Sequence, residues 1–192
     1  MSGVLSFDAA THTFTRDGIL VPSVTQVIAA AGLVRDYGNG ATCARDRGVR
    51  VHEAAFLFAT EDEDAALAVL EDEDVLYFDA LRHWMLAAGV EVLGAEELVD
   101  GGSYAGWRDL RVRLRGHDRP VVVDLKTGQL PKWVGLQLAA YALTLPEPHD
   151  RMAVRLTSDG TASATWYRRA TDAMDFRSCV RVWQLQQEMR AT

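Results

Sequence analysis

Asp124 and Lys126 stand two residues apart at the end of a β-branched run, Val121 to Val123. Asp109 lies fifteen residues earlier, inside a second strand-like run from Gly106 to Arg115. Side chains alternate across a strand, so Asp124 and Lys126 project from one face while Leu125 points the other way. The link from Gly116 to Pro120 is short enough to fold the two runs into an antiparallel hairpin. Such a hairpin brings Asp109 and Asp124 to one end of a sheet with Lys126 beside them. Paired carboxylates suit a hard cation such as magnesium, and the lysine offers a cationic partner for an anion.

Other candidates come from the flanking elements. Residues 41–59 read as a helix with Val51, Ala55 and Phe58 on one face. His52 and Arg45, seven apart, share a face of it, and Arg47 adds charge. A single histidine in such a helix is more often structural than a ligand; the motifs that follow shift that weighting towards a ligand. Trp107 to Arg115 alternates, with Leu110, Val112 and Leu114 on one face and Asp109, Arg111, Arg113 and Arg115 on the other. This is either a half-exposed strand with arginines in water or a basic track leading phosphate towards Asp109. Gln137 and Tyr141, four apart, share a helix face. Lys132 and Trp133, one turn earlier, can meet a nucleic-acid strand by charge and stacking, and core packing is an equal reading of Trp133. Glu97 either faces the carboxylates or is an exposed strand residue.

Taken in order, these motifs resemble the PD-(D/E)XK nuclease superfamily, within it the RecB-type branch. GVRVH, Gly48 to His52, resembles the helical histidine motif, and GWRD ending at Asp109 resembles G-x-x-D. DLK at 124–126, followed by TG, resembles (D/E)-x-K, and QLAAY, Gln137 to Tyr141, resembles Q-x-x-x-Y. HTFTRDGILVPSVTQVI, from His12, is similar to the leader of phage-encoded exonucleases. The resemblance implies an α/β fold with a restriction-endonuclease-like core, α-β-β-β-α-β, in which a central mixed sheet is flanked by helices. It implies catalytic His52, Asp109, Asp124 and Lys126, and Mg2+ or Mn2+ held by His52, Asp109, Asp124 and the Leu125 carbonyl. DNA would be contacted by Gln137, Tyr141, Arg111, Arg113, Lys132 and Trp133. The function implied is a metal-dependent deoxyribonuclease, an exonuclease in recombination, repair or processing. The alternatives are a non-catalytic DNA-end-binding or structural protein on the same fold and a magnesium-dependent phosphohydrolase of small nucleotides. No Gly-rich phosphate loop of the G-x-x-x-x-G-K kind supports the last of these.

The surrounding pattern supplies a scaffold. A hairpin is expected around Asp17-Gly18, then a Ser23-capped helix ended by Gly32, and a loop over Asp36–Gly40. A short helix over 65–70 and an amphipathic helix over 76–88 follow, the second with Leu76, Phe78, Ala80, Leu81, Trp84 and Met85 inward. Strands are expected over 90–99, 104–115 and 119–126. A helix then starts at Pro131, strands over 150–156 and 161–168 turn at Ser158–Gly160, and a last helix over 172–189 turns Phe176, Val180, Trp183 and Met189 inward.

A chain of 192 residues with 48% apolar and 24% charged residues is read as one domain, 1–192. The net charge of −7 argues against nucleic acid until it is located: two EDED runs, Glu61–Asp64 and Glu71–Asp74, contribute −8. The remainder carries +1 and has room for a basic groove. The acidic runs read as solvated surface. Two distant cysteines, Cys43 and Cys179, point to a reducing cytoplasm, the host's if phage-encoded. They supply neither a zinc site nor an iron–sulfur cluster, whose ligands in this branch are four cysteines. No membrane-length apolar run and no signal peptide is expected. The protein partner left open is a second copy of the chain or a phage recombination protein.

Overall fold

The computed structural model describes residues 3–34 and 42–190; the loop expected over Asp36–Gly40 lies outside them. The chain starts as a three-stranded antiparallel sheet, β1 (Leu5–Asp8), β2 (Thr13–Arg16) and β3 (Ile19–Val21). The expected hairpin is its second half. Asp17 and Gly18, at φ 51° and 78°, take the left-handed conformation that a two-residue hairpin turn requires. Helix α1 (Val24–Ala30) follows at once. Ser23 Oγ accepts from the Gln26 amide at 3.1 Å while Gln26 Oε1 accepts from the Ser23 amide at 2.8 Å, a reciprocal cap.

Helices α2 (Thr42–Thr60), α3 (Glu63–Ala68) and α4 (Val75–Ala88) precede the main sheet. Gly89, left-handed at φ 59°, ends α4. The sheet holds β4 (Glu91–Asp100), β5 (Ala105–Arg113), β6 (Val121–Lys126), β7 (Asp150–Leu156) and β8 (Ala162–Trp166), in that spatial order. Helix α5 (Val134–Ala142) carries the chain from β6 to its parallel neighbour β7; the other pairings are antiparallel. Helix α6 (Asp172–Arg190) closes the fold. The protein is therefore α/β, with a five-stranded mixed sheet, helices, and a small separate sheet.

Alternation along β6 divides the interior. Val121, Val123 and Leu125 enter a core with α2 and α4, through Val51, Ala55, Phe78 and Leu81. Val122 enters the core on the opposite face with α1, α5 and α6, through Ile28, Leu138 and Phe176. The small sheet joins this frame where the Ala105 amide donates to the Pro22 carbonyl at 2.9 Å. Two inward assignments fail: Leu76 and Met189 are exposed.

The acidic runs also differ from expectation. Asp74 is fully buried, 2.5 Å from Arg50 Nε, and Glu71 and Glu73 approach the same guanidinium. In the first run Asp62 caps α3 by accepting from the Ala65 amide, and Glu63 pairs with Arg82. Four of the eight carboxylates thus pair with arginines and a fifth caps a helix. Sequence pattern cannot reveal this, because Arg50 lies more than twenty residues from its partners.

Candidate metal centre

The site forms where the β5–β6 hairpin ends. The pairs Leu110–Val123 and Val112–Val121 fix its register, so Asp109 falls opposite Asp124 one step further on. Asp109 Oδ2 accepts from the Leu125 amide at 2.6 Å, which ties the carboxylate across the hairpin. Asp124 shares the α5 face of β6 with Val122 and Lys126, and Lys126 Nζ lies 2.7 Å from Asp124 Oδ2. His52 reaches the same point from α2. Its Nε2 lies 3.1 Å from the Leu125 carbonyl and its Nδ1 3.5 Å from Asp109 Oδ1.

Glu96 is the residue that sequence reasoning missed. His52, Glu96 and Asp109 offer ligand atoms within 4.8 Å of one another. The expected strict alternation breaks here. Arg108 bonds the Tyr141 carbonyl on the α5 face, yet Leu110, two residues on, packs in the opposite core. Across the ladder Glu96 adopts φ 45°, between the pairs Glu97–Arg108 and Ala95–Leu110. The irregularity re-aims side chains, a common use of such breaks beside functional sites. Glu97 turns away from the carboxylates instead and bonds Arg108 at 2.8 Å and Arg111 at 2.9 Å. The acidic pair Glu96-Glu97 was visible in the sequence; the break that decides between them was not.

Charge and burial set the protonation of the cluster. Burial opposes the imidazolium of His52, but the charge and hydrogen bond of Asp109 outweigh it and lift the pKa to about 9. Burial would raise Asp109, yet His52, Lys126 and the Leu125 amide hold it below its ordinary value. Burial lifts Asp124 to about 6 despite Lys126. Burial and the charge of Asp109 lift Glu96 to about 7. For Lys126, burial is outweighed by Asp124 and Asp109, so its ammonium is held above the usual range.

A cavity of about 830 Å3 opens over His52, Glu96 and Asp109, and Tyr141 borders it. Gln137 is buried and donates from Nε2 to Tyr141 Oη at 3.0 Å, so the expected pair forms. Arg111 and Arg113 do not form a free track, because Glu97 holds the first and Glu91 approaches the second. Lys132 and Trp133 line another cavity, with Arg169 and Asp172, that shares no residue with the first.

No protein-family model matches the chain, and no curated protein is similar to it. Among solved structures it has a distant likeness to the crystal structure of SSO0001, at 17% identity over 84% of this chain and 81% of that one, with a TM-score of 0.35. A likeness at that level carries no argument about this chain.

Proposed function

We propose that the chain is a metal-dependent deoxyribonuclease of the PD-(D/E)XK type, an exonuclease serving DNA recombination, repair or processing. The observation that carries this reading is the meeting of Asp109, Asp124, Lys126, the Leu125 carbonyl and His52 at the hairpin end. Element order supports it: α4, β4, β5, β6, α5 and β7 follow the α-β-β-β-α-β succession of a restriction-endonuclease-like core. His52 stands two helices earlier than that succession begins.

A divalent cation fits these residues. Both carboxylate oxygens of Asp124 are buried and accept no well-directed hydrogen bond, Lys126 meeting Oδ2 only as an ion pair. The His52 ring, whose pKa is lifted to about 9, spans the Leu125 carbonyl and Asp109 Oδ1. His52, Glu96, Asp109, Asp124 and the Leu125 carbonyl would hold Mg2+ or Mn2+, and a nitrogen donor favours manganese. Bound there, the ion supplies positive charge for the scissile phosphate and lowers the pKa of the attacking water.

The chain's own groups supply the remaining chemistry. Asp124 holds the Lys126 ammonium in place, and Lys126 orients the water or meets charge developing on the phosphoryl oxygens. Gln137 steadies the Tyr141 hydroxyl at the cavity border, where it can donate to a backbone phosphate. Incubating wild type and Asp109→Asn with linear DNA or with free nucleotides, in manganese, tests the proposal. Cleavage of DNA alone, lost in the variant, is the expected result. Hydrolysis of nucleotides alone would identify a phosphohydrolase, and DNA binding without any hydrolysis a non-catalytic end-binding protein.

A further inference from the structure

The cavity has two walls whose apolar and aromatic side chains phosphate chemistry does not use. One is aromatic. The ring of Phe7 lies 5.2 Å from His12 and 5.5 Å from Trp107, edge to face, and 4.8 Å from Phe14. His12, Phe14 and Trp107 line the cavity, with Phe7 behind them. The other wall is α2. Arg45, Val49, His52 and Phe56 recur at four, seven and eleven residues, which places them on one stripe, and all four line the cavity. Val49 is 60% exposed, an aliphatic side chain one turn before His52.

We infer that the slot between these walls holds the base of the terminal nucleotide of a single DNA strand, whose phosphate lies over His52, Glu96 and Asp109. The inference rests on the nuclease reading of that site. Aromatic and aliphatic side chains lining one cavity suit a flat ring, and stacking accepts any base because every base has a π-face. A volume of about 830 Å3 is in the range that encloses one ligand of small-molecule size. In a duplex the terminal base is paired along its edge and stacked on one face, so it cannot enter between the walls without fraying, whereas the terminal base of a single strand can. Arg45 stands on the same stripe with no carboxylate partner among the described residues, so it is available to the strand's backbone.

Fluorescence anisotropy in calcium, with manganese omitted so that the strand stays whole, tests this with short labelled oligothymidylates. One is intact, one abasic at its 5′ end and one abasic at its 3′ end, and a blunt duplex of equal length is the fourth probe. Wild type should bind the intact strand about tenfold more tightly than one of the abasic strands, and more tightly than the duplex. Val49→Lys fills the slot and keeps the cationic surface, and His12→Ala removes part of the aromatic wall; both positions are exposed, so both variants should fold. Each should shrink the abasic gap to within twofold. Equal affinity of wild type for intact and abasic strands, a gap that survives Val49→Lys, or a duplex bound as tightly as the strand overturns the slot. Cleavage in manganese is scored separately with Asp109→Asn. Cleavage without an abasic gap defeats the slot and leaves the nuclease reading standing. An abasic gap without cleavage defeats the nuclease reading and keeps a strand-binding slot.

Discussion

The ammonium of Lys126 lies beside a carboxylate that water does not reach. Sequence reasoning gives Lys126 a chemical role; the burial of Asp124 adds a structural one. Removing one partner of a buried pair leaves the other charge uncompensated, a cost of about 3–5 kcal/mol when both are buried. Lys126 is partly exposed, so on the order of 2 kcal/mol is expected for Lys126→Ala. The sign with pH follows from Asp124, whose folded pKa of about 6 exceeds its ordinary 3.8. The folded state bears the cost where Asp124 is charged and is relieved as pH falls below 6. Thermal melts should show the variant clearly less stable at pH 8 and close to wild type at pH 5, with cleavage at pH 8 down about 100-fold or more. An equal loss of melting temperature at both pH values would assign Lys126 to packing alone.

The neighbouring glutamates separate in the same way. Glu96→Gln removes a candidate ligand and a half-buried charge whose pKa is already lifted to about 7. It should weaken manganese binding by about tenfold or more while leaving urea stability unchanged or higher. Glu97→Gln strips two arginines of their partner, Arg108 being buried, and should lower stability by about 2 kcal/mol. Calorimetric titration and urea melts on both variants read the two effects, and the reverse assignment would appear as crossed results.

Elements whose cause lies in adjacent residues were legible in the sequence. Ser23 announced the start of α1, Gly89 the end of α4, and Asp17-Gly18 a hairpin turn, because each acts on backbone within a few positions. The β5–β6 pairing followed from the same kind of evidence, and with it the placing of Asp109 and Asp124 at one end of the hairpin. What stayed hidden depends on distant partners: the break at Glu96 and Asp109, which inverts facing, and the bridge from the acidic run to α2. The bridge carries its own prediction. Asp74→Ser should lower stability clearly, because it removes the buried carboxylate of the pair and leaves Arg50 only the exposed Glu71 and Glu73, whereas serine at Glu61, Asp64 and Asp72, all exposed, should change stability by less than about 0.5 kcal/mol. Urea melts of the single and triple variants decide it, and equal effects would return the whole segment to plain solvent exposure.

For the molecule as a whole, the proposed cation would compete with protons for one cluster. Asp124, Glu96 and His52 release their protons near pH 6, 7 and 9, so manganese affinity should climb steadily from pH 6 to 9. At pH 8 His52 is still protonated without metal, so binding should expel about one proton, measurable by calorimetry in two buffers of different ionisation enthalpy. Affinity flat across that range would remove His52 from the ligand set.

The strands that bring the carboxylates form a meander in chain order, whereas His52 meets the Leu125 carbonyl across 73 positions. Closing that long loop carries the larger entropic cost, so the meander should gather first and α2 should dock late. An ion that needs the histidine then gains its full grip only after the rate-limiting barrier has been crossed. In a chevron plot manganese should lower the unfolding arm and leave the refolding arm where it was. The ion would act as a latch on the finished protein, lengthening its lifetime without hastening its birth.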